Sequence, residues 1–187
     1  EGNNIIKYSD KEMRLLRKKM QLVFQDPYSS LNPRLNVVEA ITEPMIVHSI
    51  GANKEERLNL TEQLLKKVGL HADAMNKYPH QFSGGQRQRI CIARALSVQP
   101  NFLICDESVS ALDVSVQAQV LNLLNELKEE NNLTYIFISH DLSVVRYMSD
   151  TMIVMKNGKI EEVGDAKAVY EDPKSEYTKR LLSSIPH

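Results

Sequence analysis

Asp106 and Glu107 follow the apolar run Phe102-Leu103-Ile104-Cys105. Two adjacent carboxylates at the end of a buried parallel strand lie at the crevice where α/β sheets bind ligands. There Asp106 can hold a hydrated Mg²⁺, and Glu107 can polarise an attacking water as general base. The pair also reads as an acidic strand end that caps the next turn. His140 follows a second apolar strand in the same way. If the two strands are neighbours, a neutral His140 imidazole stands beside Glu107, able to touch a terminal phosphate and orient the water. The alternative for His140 is a hydrogen-bonded histidine at a strand end.

Ser83-Gly84-Gly85-Gln86 opens a helix. Ser83 reads as its N-cap and Gln86 as the residue reaching back from N3. Two glycines leave the helix start unobstructed, so its N–H groups, the Ser83 hydroxyl and the positive dipole end can meet a phosphate. Gln25, between a strand and Asp26-Pro27, can place its amide on a metal or on the attacking water; an exposed loop glutamine is the alternative. Asp113 serves equally well as the N-cap of the following helix. Arg87 and Arg89 read as solvent or salt-bridge residues. His48, His71, His80 and His187 show no ligand spacing. None of the seven glycines lies in a Gly-x-x-x-x-Gly-Lys-Ser/Thr phosphate loop.

The elements that must position these groups follow from local signals. Ser9-x-x-Glu12 caps a short basic helix to about Lys19, and Gln21–Phe24 is a brief strand delivering Gln25 into a loop. From there to His80 the pattern is helical. Asn36-x-x-Glu39 caps one segment that breaks at Pro44. Asn53-x-x-Glu56 caps another, with Leu60, Leu64, Leu65 and Val68 along one side and Gly69 as its stop. A helix from Gly84 to about Val98 ends before Pro100. Strands at 102–105 and 135–138 are continuous apolar runs, as expected for strands covered on both faces. Between them a helix runs from about Val114 to Glu129, with Val116, Val120, Leu123 or Leu124, and Leu127 at helical spacing. Met152–Val163 reads as a hairpin turned at Asn157-Gly158. Strand–helix–strand with buried strands predicts a parallel α/β core.

The chain has 187 residues, 42% apolar and 25% charged, with a formal charge of −1. That is enough for one substantial core or a core plus a lobe. The charge does not suit a nucleic-acid binder. No apolar run approaches the roughly 18 residues that cross a bilayer. Cys91 and Cys105 sit in apolar periodic segments and read as reduced core thiols, which suits the cytoplasm.

Taken in order, Gln25, Ser83-Gly84-Gly85-Gln86, Asp106-Glu107, Asp113 and His140 resemble the Q-loop, signature motif, Walker B, D-loop and switch histidine of the ATP-binding-cassette (ABC) family. Residues 24–34 (Phe-Gln-Asp-Pro-Tyr-Ser-Ser-Leu-Asn-Pro-Arg), 109–120 and the tail Tyr177–Pro186 are similar to the ATPases of oligopeptide, dipeptide and nickel importers. The resemblance implies a partial P-loop NTPase (RecA-like) core with a parallel sheet plus an α-helical subdomain. Residues 1–27 would be core up to the Q-loop, 28–99 the helical subdomain ending with the signature helix, and 100–187 core again with a C-terminal hairpin and helix.

The resemblance further implies ATP and Mg²⁺ as ligands. A second ABC ATPase subunit, identical or related, would face this one head to tail. Ser83, Gly84, Gly85 and Gln86 would serve the partner's nucleotide together with Asp113. Gln25, Asp106, Glu107 and His140 would serve this chain's own, with Asp106 and Gln25 on the metal. Transmembrane permease subunits would dock on the Q-loop and helical lobe, an extracytoplasmic solute-binding protein would act indirectly, and no nucleic acid is expected. The place would be the cytoplasmic face of the membrane, peripherally bound.

Ser108 stands where many members have proline. The first residue is Glu1, and the strand, phosphate loop and adenine-stacking aromatic of the family find no match before Gln25. The expectation is therefore a fragment of a longer protein that exposes apolar strand edge, self-associates and does not hydrolyse ATP alone. The chain stops before the cysteine-bearing extension of some importer ATPases, so no iron–sulfur cluster is expected. Competing readings are a non-transport ABC ATPase of DNA repair or translation, and a non-catalytic module lending its signature motif to a partner.

Overall fold

A computed structural model describes residues 4–184. Glu1, Gly2, Asn3, the end of the importer-like tail (Ile185 and Pro186) and His187 lie outside the described residues. The chain divides into two compact units, the first running to Ile136 and the second starting at Phe137.

In the first unit, α1 (Asp10–Lys19) opens on Ser9, whose hydroxyl accepts from the Glu12 N–H while the Glu12 carboxylate accepts from Ser9. It feeds β1 (Met20–Val23), then a one-turn helix α2 (Pro27–Ser30) capped by Asp26. No strand occurs between Val23 and Phe102 among the described residues, as the helical-lobe expectation requires. α3 (Val37–Val47) starts on the Asn36–Glu39 capping box. It does not break at Pro44, the expected stop, but continues through it. Buried Ile41 and Met45 on either side anchor the helix, so tertiary packing offsets the missing Pro44 N–H. α4 (Lys54–Lys67) ends where Leu70 N–H donates to the Leu65 carbonyl and Gly69 N–H to that of Lys66, the Schellman closure.

The centre of this unit is α5 (Gly84–Leu96). It packs against α2, α3, α4, β1 and α6 (Val114–Glu130). With neighbours on so many sides it buries residues around most of its circumference, Ile90, Cys91, Ile92 and Ala93 among them.

The sheet of the core has the order β1-β2-β3, with β2 (Phe102–Asp106) in the middle and β3 (Thr134–Ile138) at its side. β1 and β2 run parallel, paired from Met20↔Phe102 to Val23↔Cys105. The expectation of strands covered on both faces is corrected here. In β2 only Leu103 and Cys105 are fully buried, while Phe102 and Ile104 are half-buried. In β3 both Ile136 and Ile138 are about half exposed. A continuous apolar run shows that both faces suit a cover; whether neighbouring elements provide it is decided by tertiary placement.

The second unit holds α7 (Leu142–Met148), the antiparallel ribbon β4 (Thr151–Lys156) and β5 (Lys159–Asp165), and the helices α8 (Ala166–Glu171) and α9 (Glu176–Ser183). The ribbon turns at Asn157 (φ 50°) and Gly158 (φ 75°), the paired left-handed conformation that an Asn-Gly turn supplies. Met152 and Val154 pack with Ala166 and Val169 into a small core, flanked by Leu142, Val145, Tyr177 and Leu181. Among the described residues no helix is long and apolar enough to cross a membrane.

Candidate nucleotide site

Gln25 and Asp106 come together because β1 and β2 are parallel neighbours. Their pairing ends at Val23↔Cys105, so Asp106 stands one residue and Gln25 two residues past the last pair, at the same sheet edge. Neighbouring strands lie about 4.8 Å apart, which brings both residues to one crevice. Gln25 is exposed, Asp106 half-buried.

Glu107 adopts φ 46°, a left-handed conformation that costs a bulky non-glycine residue about 1–3 kcal/mol. Its carbonyl is held by two donors from Ser110, the N–H at 3.0 Å and the hydroxyl at 2.9 Å. The turn after β2 therefore holds Glu107 in a strained, half-buried position. Ser108 beside it is buried. Backbone strain of this kind recurs at sites that hold a side chain for chemistry.

The start of α5 matches the sequence reading and adds to it. Ser83 Oγ accepts from the Gln86 N–H at 3.3 Å, and Gln86 Oε1 accepts from the Ser83 N–H at 3.0 Å. Gly85 is buried for a further reason. A Cβ there would lie 2.3 Å from Val116 Cγ1, in the first turn of α6, so any side chain at this position would displace Val116. At Gly84 a Cβ would meet Leu112 at an ordinary 3.6 Å. Gly84 has room for a side chain, whereas at Gly85 packing against Val116 adds a second reason for glycine beside the open helix start.

Asp113 occupies the N-cap position of α6, yet its side chain makes no capping hydrogen bond. Its carboxylate is exposed next to Val114, itself 85% exposed. His140 lies in the second unit, exposed, two residues past β3 and next to Asp141, which caps α7 by accepting from Ser143 and Val144.

The reading of Arg87 and Arg89 as solvent or salt-bridge residues is corrected: Arg87 is buried, Arg89 half-buried, and each donates to a backbone carbonyl. Arg87 is 5% exposed; its Nε donates to the Pro79 carbonyl at 2.6 Å, and its guanidinium lies 3.6 Å from the centre of the Tyr28 ring. Arg89 Nη1 donates to the Val68 carbonyl at 2.8 Å. Arg94, five residues further along α5, donates to the Ser30 carbonyl. Three arginines thus tie α5 to the segment after Gln25 and to the end of α4. Sequence reasoning missed this role, because a carbonyl partner far along the chain leaves no local pattern.

Burial pushes the Cys91 thiol up to about 11 and the Cys105 thiol up to about 12, and both cysteines are unpaired. The reading of reduced core thiols stands.

The donors present suit Mg²⁺ only alongside a nucleotide. Among the described residues no three His, Cys, Asp or Glu side chains converge on a metal position. Asp106 with the Gln25 amide is the sparse protein share expected where phosphate oxygens and waters complete an octahedron. Asp106 and Gln25 would hold the ion, and it would neutralise phosphate charge.

The sequence profile described as ABC transporter matches residues 1–110. The oligopeptide transport ATP-binding protein OppF of Bacillus subtilis (strain 168) is 54% identical over 178 residues, covering 95% of this chain and 58% of the relative. The dipeptide transport ATP-binding protein DppF of Lactococcus lactis subsp. cremoris (strain MG1363) is 50% identical over 186 residues, covering 100% of this chain and 60% of the relative. The chain thus spans somewhat over half the length of these curated relatives. Among solved structures, the dimeric post-hydrolysis state of the ATP-binding cassette MJ0796, bound to ADP and Pi, superimposes with a TM-score of 0.74 at 33% identity, over 86% of this chain and 68% of that one.

Proposed function

This chain belongs to the ABC transporter family, and from that premise we propose that it is the ATP-binding and ATP-hydrolysing part of an importer for oligopeptides or dipeptides. The observation that carries the reading is Glu107 held at φ 46° directly after Asp106, at the end of the central strand. The oligopeptide and dipeptide transport relatives support the peptide assignment. The RecA-like core would comprise residues 1–27 and 100–187, and residues 28–99 the helical lobe.

Asp106 and the Gln25 amide bind the Mg²⁺ that accompanies ATP. Glu107 takes the proton of the attacking water, and the turn after β2 fixes the backbone from which its side chain projects. His140 orients that water and the terminal phosphate. Ser83, Gly84, Gly85 and Gln86, with the first N–H groups of α5, bind the phosphates of a nucleotide carried by a second ABC subunit, and Asp113 reaches toward the same neighbour. A head-to-tail pair is supported by the dimeric ADP-bound relative. Permease subunits dock on the helical lobe at the cytoplasmic face of the membrane. Nothing in the site favours a DNA-repair or translation role.

Hydrolysis of Mg-ATP tests this in two polypeptides, the chain by itself and a longer one supplying a phosphate loop ahead of Glu1, each beside Glu107→Gln. Turnover by the longer form that drops at least about 100-fold in Glu107→Gln supports the assignment. Undiminished turnover in Glu107→Gln removes the base assignment, and sustained turnover by the short chain overturns the site map.

A further inference from the structure

A hollow of about 450 Å³ opens in the first unit where α4, the turn after α5 and the end of α6 meet. It is remote from the nucleotide site. Asn101, on its rim, precedes β2, whose far end carries Asp106 about 16 Å away at 3.3 Å per residue. Its volume falls in the range of small-ligand sites.

The floor is aliphatic: Met45, Leu60, Leu64, Leu96 and Leu133. The rim is different. Gln63, Gln99, Asn101 and Asn132 bring four carboxamide residues to the lining, while the Asn131 carboxamide is already engaged, donating to the Leu127 carbonyl at 2.9 Å and accepting from Lys67. Its one cation, Lys67, is already engaged, its Nζ 3.3 Å from Asn131 Oδ1 and 3.6 Å from Glu130. α4, α5 and α6 all end at this hollow, and helix C-terminal ends favour hydrogen-bond donors over anions.

These features select a ligand class. No aromatic ring lines the hollow to stack a base, and its single cation is neutralised by a carboxylate, so a nucleotide or phosphate does not fit. A carboxamide offers one acceptor and two donors, the complement of a peptide group. We propose that this hollow binds a short aliphatic peptide, its side chain on the leucine floor and its flanking peptide groups on the carboxamide rim. The site is independent of the nucleotide chemistry. A peptide seated there joins α4 of the helical lobe to the turn that leads into β2.

The test is a titration of the chain with N-acetyl-leucine methylamide, followed by the methyl resonances of Met45, Leu60, Leu96 and Leu133. The expected result is saturable shifts at these methyls with a dissociation constant on the order of 1 mM, the range open to so small a ligand. 4-Methyl-1-pentanol, with the same branched end and no peptide group, should bind at least about fivefold more weakly. Leu64→Trp, which fills the hollow, should abolish the shifts, and Gln63→Ala should weaken binding by about 2- to 10-fold. Equal binding of the alcohol overturns the peptide reading. So do tighter binding of adenosine monophosphate at these methyls, shifts that never saturate, or wild-type affinity in both variants.

Discussion

Glu107, Gly85 and Arg87 show how much of this site depends on single residues in unusual surroundings. Gly85→Ala places a methyl group 2.3 Å from Val116 Cγ1, so the branched Val116 side chain must shift to admit it. A loss of about 1–3 kcal/mol is expected in denaturant unfolding. Val116→Ala, made together with it, should recover most of that loss. If the double variant is merely the sum of the two single ones, the close approach is not the cause. Arg87 separates packing from charge. Arg87→Lys keeps the charge but loses the flat face over Tyr28 and the fixed Nε donor to Pro79, a loss of about 1–2 kcal/mol. Arg87→Met keeps the stem without burying a cation and should unfold closer to wild type. A lysine variant as stable as wild type would show that the ring contact contributes nothing.

Among the elements, helix starts were the most legible in sequence. Ser9-x-x-Glu12, Asn36-x-x-Glu39 and Ser83-x-x-Gln86 all form the capping boxes their spacing predicts, because a box is closed by residues three apart and needs no distant partner. The Asn157-Gly158 turn was legible for the same reason. α3 was not, since passage through Pro44 depends on buried residues on either side. Two caps make a paired prediction. Ser83→Ala removes an observed capping bond and should cost about 1 kcal/mol in thermal or urea unfolding. Asp113→Ala removes none, and should change stability by less than about 0.5 kcal/mol. A comparable loss in both would mean that Asp113 caps α6 after all, and would weaken its proposed role toward a neighbouring subunit.

For the molecule as a whole, the uncovered apolar surface matters most. Ile153 pairs with Val163 and Met155 with Ile160 across the β4–β5 ribbon, and all four are 55–61% exposed, on the face opposite the small core. Two adjacent cross-strand apolar pairs on one face should drive self-association. Ile153→Thr with Val163→Thr is expected to lower the apparent mass in concentration-dependent sedimentation; an unchanged profile would place the association elsewhere. Stability of the second unit should also depend on pH through Glu162. Its carboxylate accepts from the Lys174 N–H at 2.7 Å and the Ser175 N–H at 3.1 Å, which hold its carboxyl below the ordinary 4.5. The folded state therefore prefers the ionised form, so this contribution is complete above the ordinary value and disappears as pH falls through the lower folded one. Melting temperatures of wild type and Glu162→Gln should converge in acid and separate toward neutrality.

The sequence by itself determined the order of the motifs, the helix starts, the Asn-Gly ribbon and the α/β class, all of which rest on short-range geometry or on apolar period. Tertiary structure alone decided that β3 leaves Ile136 and Ile138 half exposed, that Arg87 is buried over Tyr28, that Gly85 answers to Val116, and that Gln63, Asn101 and Asn132 line the same hollow as Leu60 and Leu133. Each of these joins residues far apart in the chain. Long-range packing sets such contacts, and no local pattern records which distant side chain arrives.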